Sequence, residues 1–306
     1  TGVEDAMSSE QALELARLTW RVRTTPVLAP PVADGDAPIV SPDLVSIQRM
    51  DTGVVLGTAT RQYEPIQNVE GAEFLDSLFA DGFLEYETAG SLRNGRTVWL
   101  LARLREDMRV ADEVWHRYLL WMNGHDGRRA GVVKKTDVRV VCANTLDMAL
   151  GDGISGVTLR HTRNVHERMA EAQRVMEITT EATRRLREFL DAAATKPVTE
   201  AALAAVERDL FGDPDERKAR TQNKVEAFKR IAGEEVMRNG QTAYSLLNAI
   251  TGYVDHVRSP EPNDEMIGAY ARAERRFESV LMGSGARAKS SAVKTLMSAT
   301  GLTLAK

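Results

Sequence analysis

The chain has 306 residues, 43% of them hydrophobic, and a formal net charge of −4. That length and apolar content are enough for one large core or two smaller ones, which excludes a disordered chain, and the net charge excludes a polycation that coats nucleic acid indiscriminately. No apolar segment approaches the roughly 20 residues that cross a membrane, and the first residues lack the plan of a secretory signal. We therefore expect a cytoplasmic protein without a membrane partner.

The predicted elements begin with a helix and an extended arm. Residues 9–22 carry apolar side chains at helical spacing. Five prolines then fall within residues 25–42, a density that opposes both a helix and a central strand. Residues 1–42 are therefore predicted to form an N-terminal helix on a Pro-rich arm, an arrangement suited to clasp a neighbouring subunit.

Residues 43–162 alternate strand and turn signals, which predicts a β-rich domain. The clearest signal is an antiparallel hairpin of residues 83–91 and 97–105, joined across Asn94-Gly95, because these two residues tolerate the positive φ angles of tight turns. A helix is predicted over residues 110–121. Further strands are predicted at 44–47, 54–60, 138–141 and 157–161.

Residues 163–306 are predicted to form a helical domain that ends in a basic segment. Residues 165–193 carry a heptad seam, which indicates one long helix. Amphipathic helices are predicted at 200–211, 215–232, 242–257 and 264–281. The expected fold class is thus α+β, with an antiparallel hairpin sheet in the β-rich N-terminal half, then the long helix and a helical C-terminal half.

The most specific local pattern is TDVRVVCANTLDMAL at residues 136–150. A strand leads through Cys142 into Asn144, which can cap a following helix turn. Such a helix start either binds phosphate or only satisfies the orphan backbone donors of the first turn. Whether Asn144 and Thr145 face a ligand or a core stays open on the sequence alone.

Positive charge concentrates in the middle of the chain. Residues 126–175 hold nine basic and six acidic side chains, whereas residues 1–105 hold nine and fifteen. A strip of cations is typical of proteins that bind a nucleic-acid backbone. The segment GSGARAKS at 283–290 lacks the glycine before the lysine that a nucleotide-binding loop needs, and a flexible basic segment is expected there instead. The candidate nucleic-acid-binding residues are Arg128, Arg129, Lys134, Lys135, Arg139, Asn144, Thr145, Arg160, Arg163, Arg287 and Lys289.

Catalytic and metal-binding patterns are weaker. The five histidines lack metal-ligand spacing, no catalytic residue is identified, and neither a cofactor nor a metal is expected. His125-Asp126, in a glycine-bounded loop next to the basic strip, is the best candidate pair, and a turn with polar side chains is the alternative. Cys142, the single cysteine, is expected to be a buried thiol. A binding protein is favoured over an enzyme.

Five blocks of sequence carry a resemblance to a known family. They are YEPIQN at 63–68, GHDG at 124–127, TDVRVVCANTLDMAL at 136–150, LRHT at 159–162 and TAYSLLNAITGYVDH at 242–256. With them the chain resembles the phage/plasmid-like family of unknown function, domain of unknown function nine hundred and thirty-two, over about residues 45–296. The resemblance implies a setting in phages, prophages and plasmids of bacteria, and it supplies no catalytic residues. More remotely, the chain is similar at fold level to phage single-strand annealing proteins.

These observations lead to three hypotheses. The leading one is a phage or mobile-element protein that binds single-stranded DNA and promotes strand annealing in recombination or replication, as a ring or filament of identical subunits. The alternative is a structural or regulatory protein whose helical half binds a host or phage protein through the heptad seam. The third is a metal-dependent enzyme that uses His125, Asp126 and His161.

Overall fold

A computed structural model gives the fold of the chain. It describes residues 2–3, 8–33, 36–77, 84–104, 107–139, 144–145, 156–176, 179–258, 275–280 and 283–303. The chain forms two compact units, and each is assembled from separate stretches of sequence. Unit 1 comprises Thr1–Arg105, Tyr118–Lys135 and Gly156–Thr179, and unit 2 comprises Glu106–Arg117, Thr136–Ser155 and Thr180–Lys306.

The described elements confirm an α+β fold with a β-rich N-terminal half and a helical C-terminal half. In the first half they are α1 (Ser9–Leu15), β1 (Val22–Ala29), β2 (Ile39–Arg49), β3 (Val55–Thr60), α2 (Asn68–Ser77), β4 (Leu84–Leu92), β5 (Thr97–Leu104), β6 (Met108–Val110), β7 (Glu113–Gly124), β8 (Gly131–Arg139), β9 (Asn144–Thr145) and β10 (Gly156–Leu159). In the second they are α3 (Val165–Met176), α4 (Thr179–Thr195), α5 (Glu200–Phe211), α6 (Ala219–Asn239), α7 (Ala243–Gly252), a π-helical turn (Tyr253–Val257) and α8 (Ser284–Thr300).

The Pro-rich arm predicted for residues 25–42 is wrong, because this segment belongs to a three-stranded antiparallel sheet of order β1-β2-β3. The prolines lie where a missing N–H costs no ladder bond. Pro26 is in the edge strand β1, next to a break in register. Pro42 is in the part of β2 that lies beyond the ladder to β3, which begins at Leu44 and Thr60.

The first helix is shorter than predicted. It ends at Leu15, and Arg17 adopts a positive φ of 57°. The amide of Leu18 then donates to the carbonyl of Leu13 at 2.7 Å, which closes the helix end. The apolar residues that suggested a longer helix, Leu18 and Trp20, are buried in the core of unit 1 instead.

The second sheet has the strand order β10-β8-β7-β5-β4, with β6 paired to β7 and β9 paired to β8. The predicted hairpin is confirmed as β4 and β5, and Asn94 and Gly95 in its turn have φ angles of 59° and 94°. The helix predicted over residues 110–121 is wrong, because this segment is strand β7. All its residues from Tyr118 onward are buried, so both faces carry apolar side chains and the alternation that marks a strand is lost.

The core of unit 1 forms where α1 and α2 pack on this sheet. Trp121 and Phe74 meet edge to face with ring centroids 5.9 Å apart. A side chain at Gly71 would come within 2.3 Å of the Trp121 indole nitrogen, so only glycine lets α2 approach this strand.

The core of unit 2 is built from its helices. Phe211, Phe228 and Tyr253 form a triangle of rings with centroid separations of 5.2–5.9 Å. The Trp115 indole donates to the Tyr244 hydroxyl at 2.9 Å, and that hydroxyl donates to Glu113 at 2.6 Å. The Trp115 indole and the Tyr244 hydroxyl thus both have a hydrogen-bond partner, as burial requires.

The helix predictions have mixed outcomes. The predicted helix 200–211 is confirmed as α5, and 242–257 is confirmed as α7 with its π-helical turn. The helix predicted at 215–232 begins later and ends later, as α6. The seam of residues 165–193 falls on α3 and α4, and residues 177–178 lie outside the described residues, as does most of 264–281. In the described part of the chain, no helix is long and apolar enough to span a membrane.

Candidate nucleic-acid interface

Unit 1 contains a cavity of about 430 Å³ whose wall carries four arginines. We call it the arginine cleft, and it is lined by Arg93, Arg96, Arg128, Arg129, Asp126 and residues 55–58 of β3. Its volume lies within the range of ordinary ligand sites. The guanidinium group is the side chain best suited to grip phosphate oxygens in pairs.

Two loops supply the arginines. Arg93 and Arg96 flank the Asn-Gly turn between β4 and β5, and Arg128 and Arg129 lie in the loop that follows β7. β5 and β7 are neighbours in the sheet, with Thr97 opposite Gly124, so both loops leave it at the same end. The amide of His125 donates to the carbonyl of Arg96 at 2.8 Å and joins the two loops directly.

The loop after β7 has a fixed shape. The Asp126 carboxylate accepts bonds from the backbone amides of Arg128, at 2.9 Å, and Arg129, at 3.1 Å. Gly127 has a φ of 74°, and a side chain there would lie 2.2 Å from the Thr58 carbonyl oxygen. The Asp126 side chain therefore acts first as a loop-building acceptor, and the backbone of the loop lies directly against β3.

A buried polar network supports the loop from below. The Asn68 amide nitrogen donates to the carbonyls of Leu18 and Trp20, so its oxygen accepts, and His125 Nε2 lies 2.8 Å from that oxygen as the donor. The Tyr63 hydroxyl donates to the Gly124 carbonyl at 3.2 Å. The YEPIQN and GHDG blocks thus meet at the base of the arginine cleft.

His161 completes this support. Its ring stacks on Tyr63 with centroids 4.8 Å apart, and its Nδ1 lies 3.1 Å from the Glu64 carbonyl oxygen. His161 belongs to the LRHT block, so three of the blocks that carry the family resemblance converge on one loop. The side chains of Tyr63, Asn68, His125 and His161 hold the loop in place and do not themselves line the cleft, whereas Asp126 of the GHDG block does.

Burial sets the charge state of both histidines. It lowers the pKa of His125 from 6.5 to about 3, with smaller contributions from nearby His161 and Arg49. It also lowers the pKa of His161. Both imidazoles are therefore neutral in the folded protein near pH 7, and His125 donates only through Nε2.

Because of these histidines, the free energy of unfolding is expected to decrease as the pH is lowered below 6.5. Above pH 6.5 the histidine is neutral in both the folded and the unfolded chain; as the pH drops toward 3, only the unfolded chain takes up a proton at His125. Between these two pH values the free energy of unfolding should decrease by about 1.4 kcal/mol per pH unit because of His125. Urea denaturation from pH 7.5 down to 5.5 should show no change in stability from this group well above pH 6.5 and the approach to this slope below it.

Two variants test whether His125 causes this pH dependence of stability. His125→Gln should flatten it, whereas His166→Gln, which removes an exposed imidazole, should leave it unchanged. An unchanged slope in the His125 variant would show that this imidazole is not the group that resists protonation.

Gly57 is expected to be essential for the close packing of the loop against β3. A side chain there would lie 2.3 Å from the Asp126 carbonyl oxygen, which is backbone and cannot rotate away. Gly57→Ala should therefore destabilise unit 1 by about 1–3 kcal/mol. Gly233→Ala is the matched control, because nothing lies within 4 Å of its new methyl group in α6. That variant should stabilise the protein by about 0.5–1 kcal/mol in thermal denaturation; equal effects of the two alanines would contradict the tight contact.

The structure brings only two of the eleven sequence-predicted residues into the cleft, Arg128 and Arg129. Arg160 and Arg163 are exposed after β10, and Lys134, which is half-buried, lies opposite Gly156 in β8. Of the remaining residues, Lys135 belongs to unit 1, and those in unit 2 are Arg139, Asn144, Thr145, Arg287 and Lys289.

Asn144 and Thr145 form the short strand β9, paired with Arg139 and Val138 of β8. A helix turn capped by Asn144 was one expectation, and the residues that would form it, 146–151, lie outside the described residues. Cys142 lies outside them as well.

The position of Lys289 does not fit the nucleic-acid-binding role predicted for it. It is fully buried, and its ammonium lies 2.6 Å from the Asp255 carboxylate, so it cannot offer its charge to a phosphate from this position. The flexible basic segment expected around it is wrong too, because Ser284–Thr300 form helix α8. The Ser279 hydroxyl accepts from the Gly285 amide at 3.1 Å and occupies the start of that helix. Arg287, on the same helix, is exposed.

Arg93 and Arg96 are not among the predicted binding residues, because the sequence of the hairpin loop predicts only a turn. The available signal was a pair of arginines flanking Asn94-Gly95. Within the described ranges, neither Arg96 nor Arg128 has a carboxylate within 4 Å. These two exposed arginines therefore present charge at the cleft that no carboxylate of the described residues neutralises through an ion pair.

The third hypothesis, a metal-dependent enzyme, gains no ligand set from the geometry. In the described part of the chain, no group of three or more His, Cys, Asp or Glu side chains is placed to hold a metal ion. His125 is instead bonded to Asn68, and His161 to the Glu64 backbone.

The fold and the site define an α+β protein with an arginine-lined cleft supported by a buried histidine network. The chain belongs to the family described as Domain of unknown function (DUF932), which matches residues 55–295. This match confirms the resemblance drawn from the sequence blocks, and it includes all the residues of the arginine cleft. No curated protein and no solved structure shows a significant match to the chain.

Proposed function

We propose that this protein binds single-stranded DNA by its phosphate backbone in the arginine cleft and promotes annealing of complementary strands in a phage or mobile-element setting. The observation that carries the proposal is the gathering of four arginines from two loops into one cavity of about 430 Å³. Guanidinium groups held at fixed positions bind phosphate with charge-assisted hydrogen bonds, which are about twice as strong as neutral ones.

The form of the cleft favours a single strand over a duplex. A duplex is a stiff cylinder whose phosphates lie on its convex surface, whereas a single strand can bend its backbone into a concave pocket. Binding through arginine side chains alone does not depend on the identity of the bases, because phosphate contacts carry no sequence information. A protein that pairs any complementary strands needs such tolerance.

The charge distribution indicates that one part of the surface, and not the whole molecule, attracts DNA. The chain as a whole carries a net charge of −4, so attraction to DNA comes from a patch and not from the overall field. The exposed Arg160 and Arg163 extend the positive charge of unit 1 beyond the cleft. We propose that they contact neighbouring phosphates of the same strand.

An annealing assay tests the finer part of the proposal. Two complementary oligonucleotides, one with a fluorophore and one with a quencher, are mixed with and without the protein. The proposal predicts faster quenching with the protein, and weaker acceleration as salt is raised. Binding without faster quenching would exclude the annealing role and would support only the binding of single-stranded DNA. Absence of binding together with a stable protein partner in pull-downs would favour the alternative, in which the helical half binds a host or phage protein.

A further inference from the structure

The outer part of the three-stranded sheet is a two-stranded ribbon that leaves apolar side chains in water. It consists of residues 27–33 and 36–43, of which Leu28–Ala29 and Ile39–Val40 are paired as strands and residues 30–33 and 36–38 continue beyond the strand ends. We call it the acidic ribbon. Leu28 pairs with Val40 and Ala29 with Ile39, whereas the ladder to β3 starts only at Leu44. Beyond that point none of the described strands pairs with the ribbon as a third strand. A two-stranded hairpin is marginally stable by itself in water.

The apolar side chains of the acidic ribbon are unusually exposed. The exposed fractions are 58% for Leu28, 90% for Val32 and 48% for both Ile39 and Val40. Single exposed apolar residues are common on protein surfaces, but four on one short ribbon indicate a contact surface. The ribbon also lies before residue 55, where the family match begins.

The charge of the ribbon indicates what covers it. From Thr24 to Gln48 the chain has no basic residue and three aspartates, Asp34, Asp36 and Asp43. Asp36 and Asp43 are exposed, and in the described part of the chain neither forms an ion pair. A partner surface must therefore combine apolar contacts with positive charge.

The same chain presents such a surface at the arginine cleft. Val55, which is 50% exposed, lines the cleft together with Arg96 and Arg128, and Val54, which is 48% exposed, precedes it in the sequence. The acidic ribbon contributes none of the residues that line the cleft of its own chain. One molecule thus carries both an acidic, apolar ribbon and a basic, apolar receptor.

We infer that the acidic ribbon of one copy docks on the arginine cleft of a second copy. The two surfaces differ, so the contact is head to tail and repeats into rings or filaments. Because the receptor is the cleft in which we place DNA phosphates, the ribbon carboxylates compete with single-stranded DNA. The competition rests on the proposed function, whereas the ribbon contact itself does not. Self-association then holds the cleft closed until a nucleic acid displaces the ribbon.

A charge exchange tests the contact. In the ribbon variant Asp36→Arg/Asp43→Arg both surfaces are basic, and in the cleft variant Arg96→Asp/Arg128→Asp both are acidic. Sedimentation velocity at low salt should show that the wild type self-associates, that each variant alone does so at least tenfold more weakly, and that an equimolar mixture of the two associates again. A monomeric wild type at every salt concentration, or a mixture that stays monomeric, would overturn the inference.

A second variant tests the apolar part. Val32→Ser removes a side chain that is 90% exposed, so folding is unaffected, as circular dichroism can verify. Self-association should weaken by the same factor at low and at high salt. An association constant equal to that of the wild type would exclude this residue from the contact.

Oligonucleotide binding separates this inference from the proposed function. The ribbon variant keeps its cleft arginines and should bind single-stranded DNA at least as tightly as the wild type. Added oligonucleotide should dissociate the wild-type assembly; binding without dissociation would exclude competition. Self-association without DNA binding would refute the proposed function alone, and DNA binding by a protein that never self-associates would refute the ribbon contact alone.

Discussion

Replacing Lys289 with methionine is expected to lower the free energy of unfolding by about 3–5 kcal/mol, because the change leaves the Asp255 carboxylate buried without its counterion. Lys289 is 0% exposed and Asp255 is 6% exposed, and the two charged atoms are 2.6 Å apart. Burial lowers the pKa of Lys289, while Asp255 raises it and favours the charged form. Urea denaturation of the full chain measures the loss.

Two further variants make this prediction specific. The double variant Asp255→Leu/Lys289→Met removes both charges and should recover most of the loss, because a buried pair can often be replaced by apolar residues at little cost. Lys294→Met, an exposed lysine on the same helix α8, should change stability by less than about 0.5 kcal/mol. A loss below about 1 kcal/mol for Lys289→Met would contradict a buried ion pair.

The double variant Arg96→Ala/Arg128→Ala is expected to weaken binding of single-stranded DNA by about 100-fold. Each lost hydrogen bond between charged groups contributes about 1.5 kcal/mol, which is about tenfold in affinity. The dependence of log affinity on log salt should also become shallower by about 1.4, since each phosphate contact contributes about 0.7 on a single strand. Fluorescence anisotropy of a labelled oligonucleotide at several salt concentrations gives both quantities.

The matched control removes the same charge elsewhere. Arg220→Ala/Lys224→Ala takes two exposed cations from α6, neither of which lines the cleft. It should keep the wild-type salt dependence and affinity within about twofold. Equal losses in the two double variants would mean that net charge, and not the cleft, governs binding.

Local signals in the sequence predicted those elements whose pattern is set by near neighbours. The β4–β5 hairpin follows from the Asn-Gly turn, and α5 follows from its apolar spacing. The predictions that are wrong concern segments whose structure depends on contacts with distant parts of the chain. Strand β7 is buried on both faces and has no alternation, and β1 accepts Pro26 because it is an edge strand.

The candidate site was only partly predictable for the same reason. Arg128 and Arg129 stood out as part of a basic run, whereas Arg93 and Arg96 join them only because β5 and β7 pair in the sheet. Lys289 stood out by its charge, and nothing near it in sequence indicates Asp255, its partner 34 residues away. Charge runs show which residues are basic, but their grouping and their neutralisation depend on pairing between distant segments.

The GHDG block, one of the blocks that carry the family resemblance, has a structural role in this fold. His125 is buried and holds Asn68, and Asp126 fixes the amides of the two arginines that follow it. The block that supplies two residues of the metal-enzyme hypothesis therefore builds part of the wall of the arginine cleft. Its histidine contributes through burial and shape, as the pH dependence of stability can show.

The most direct test of the central claim is the affinity of the wild-type protein for a single-stranded oligonucleotide, measured from about 50 to about 200 mM salt. We predict that binding is present at the lowest salt and that log affinity falls with log salt with a slope of about −1.4 or steeper, which corresponds to two or more phosphate contacts. No binding at the lowest salt, or an affinity that does not change with salt, would contradict a phosphate-binding role for the arginine cleft.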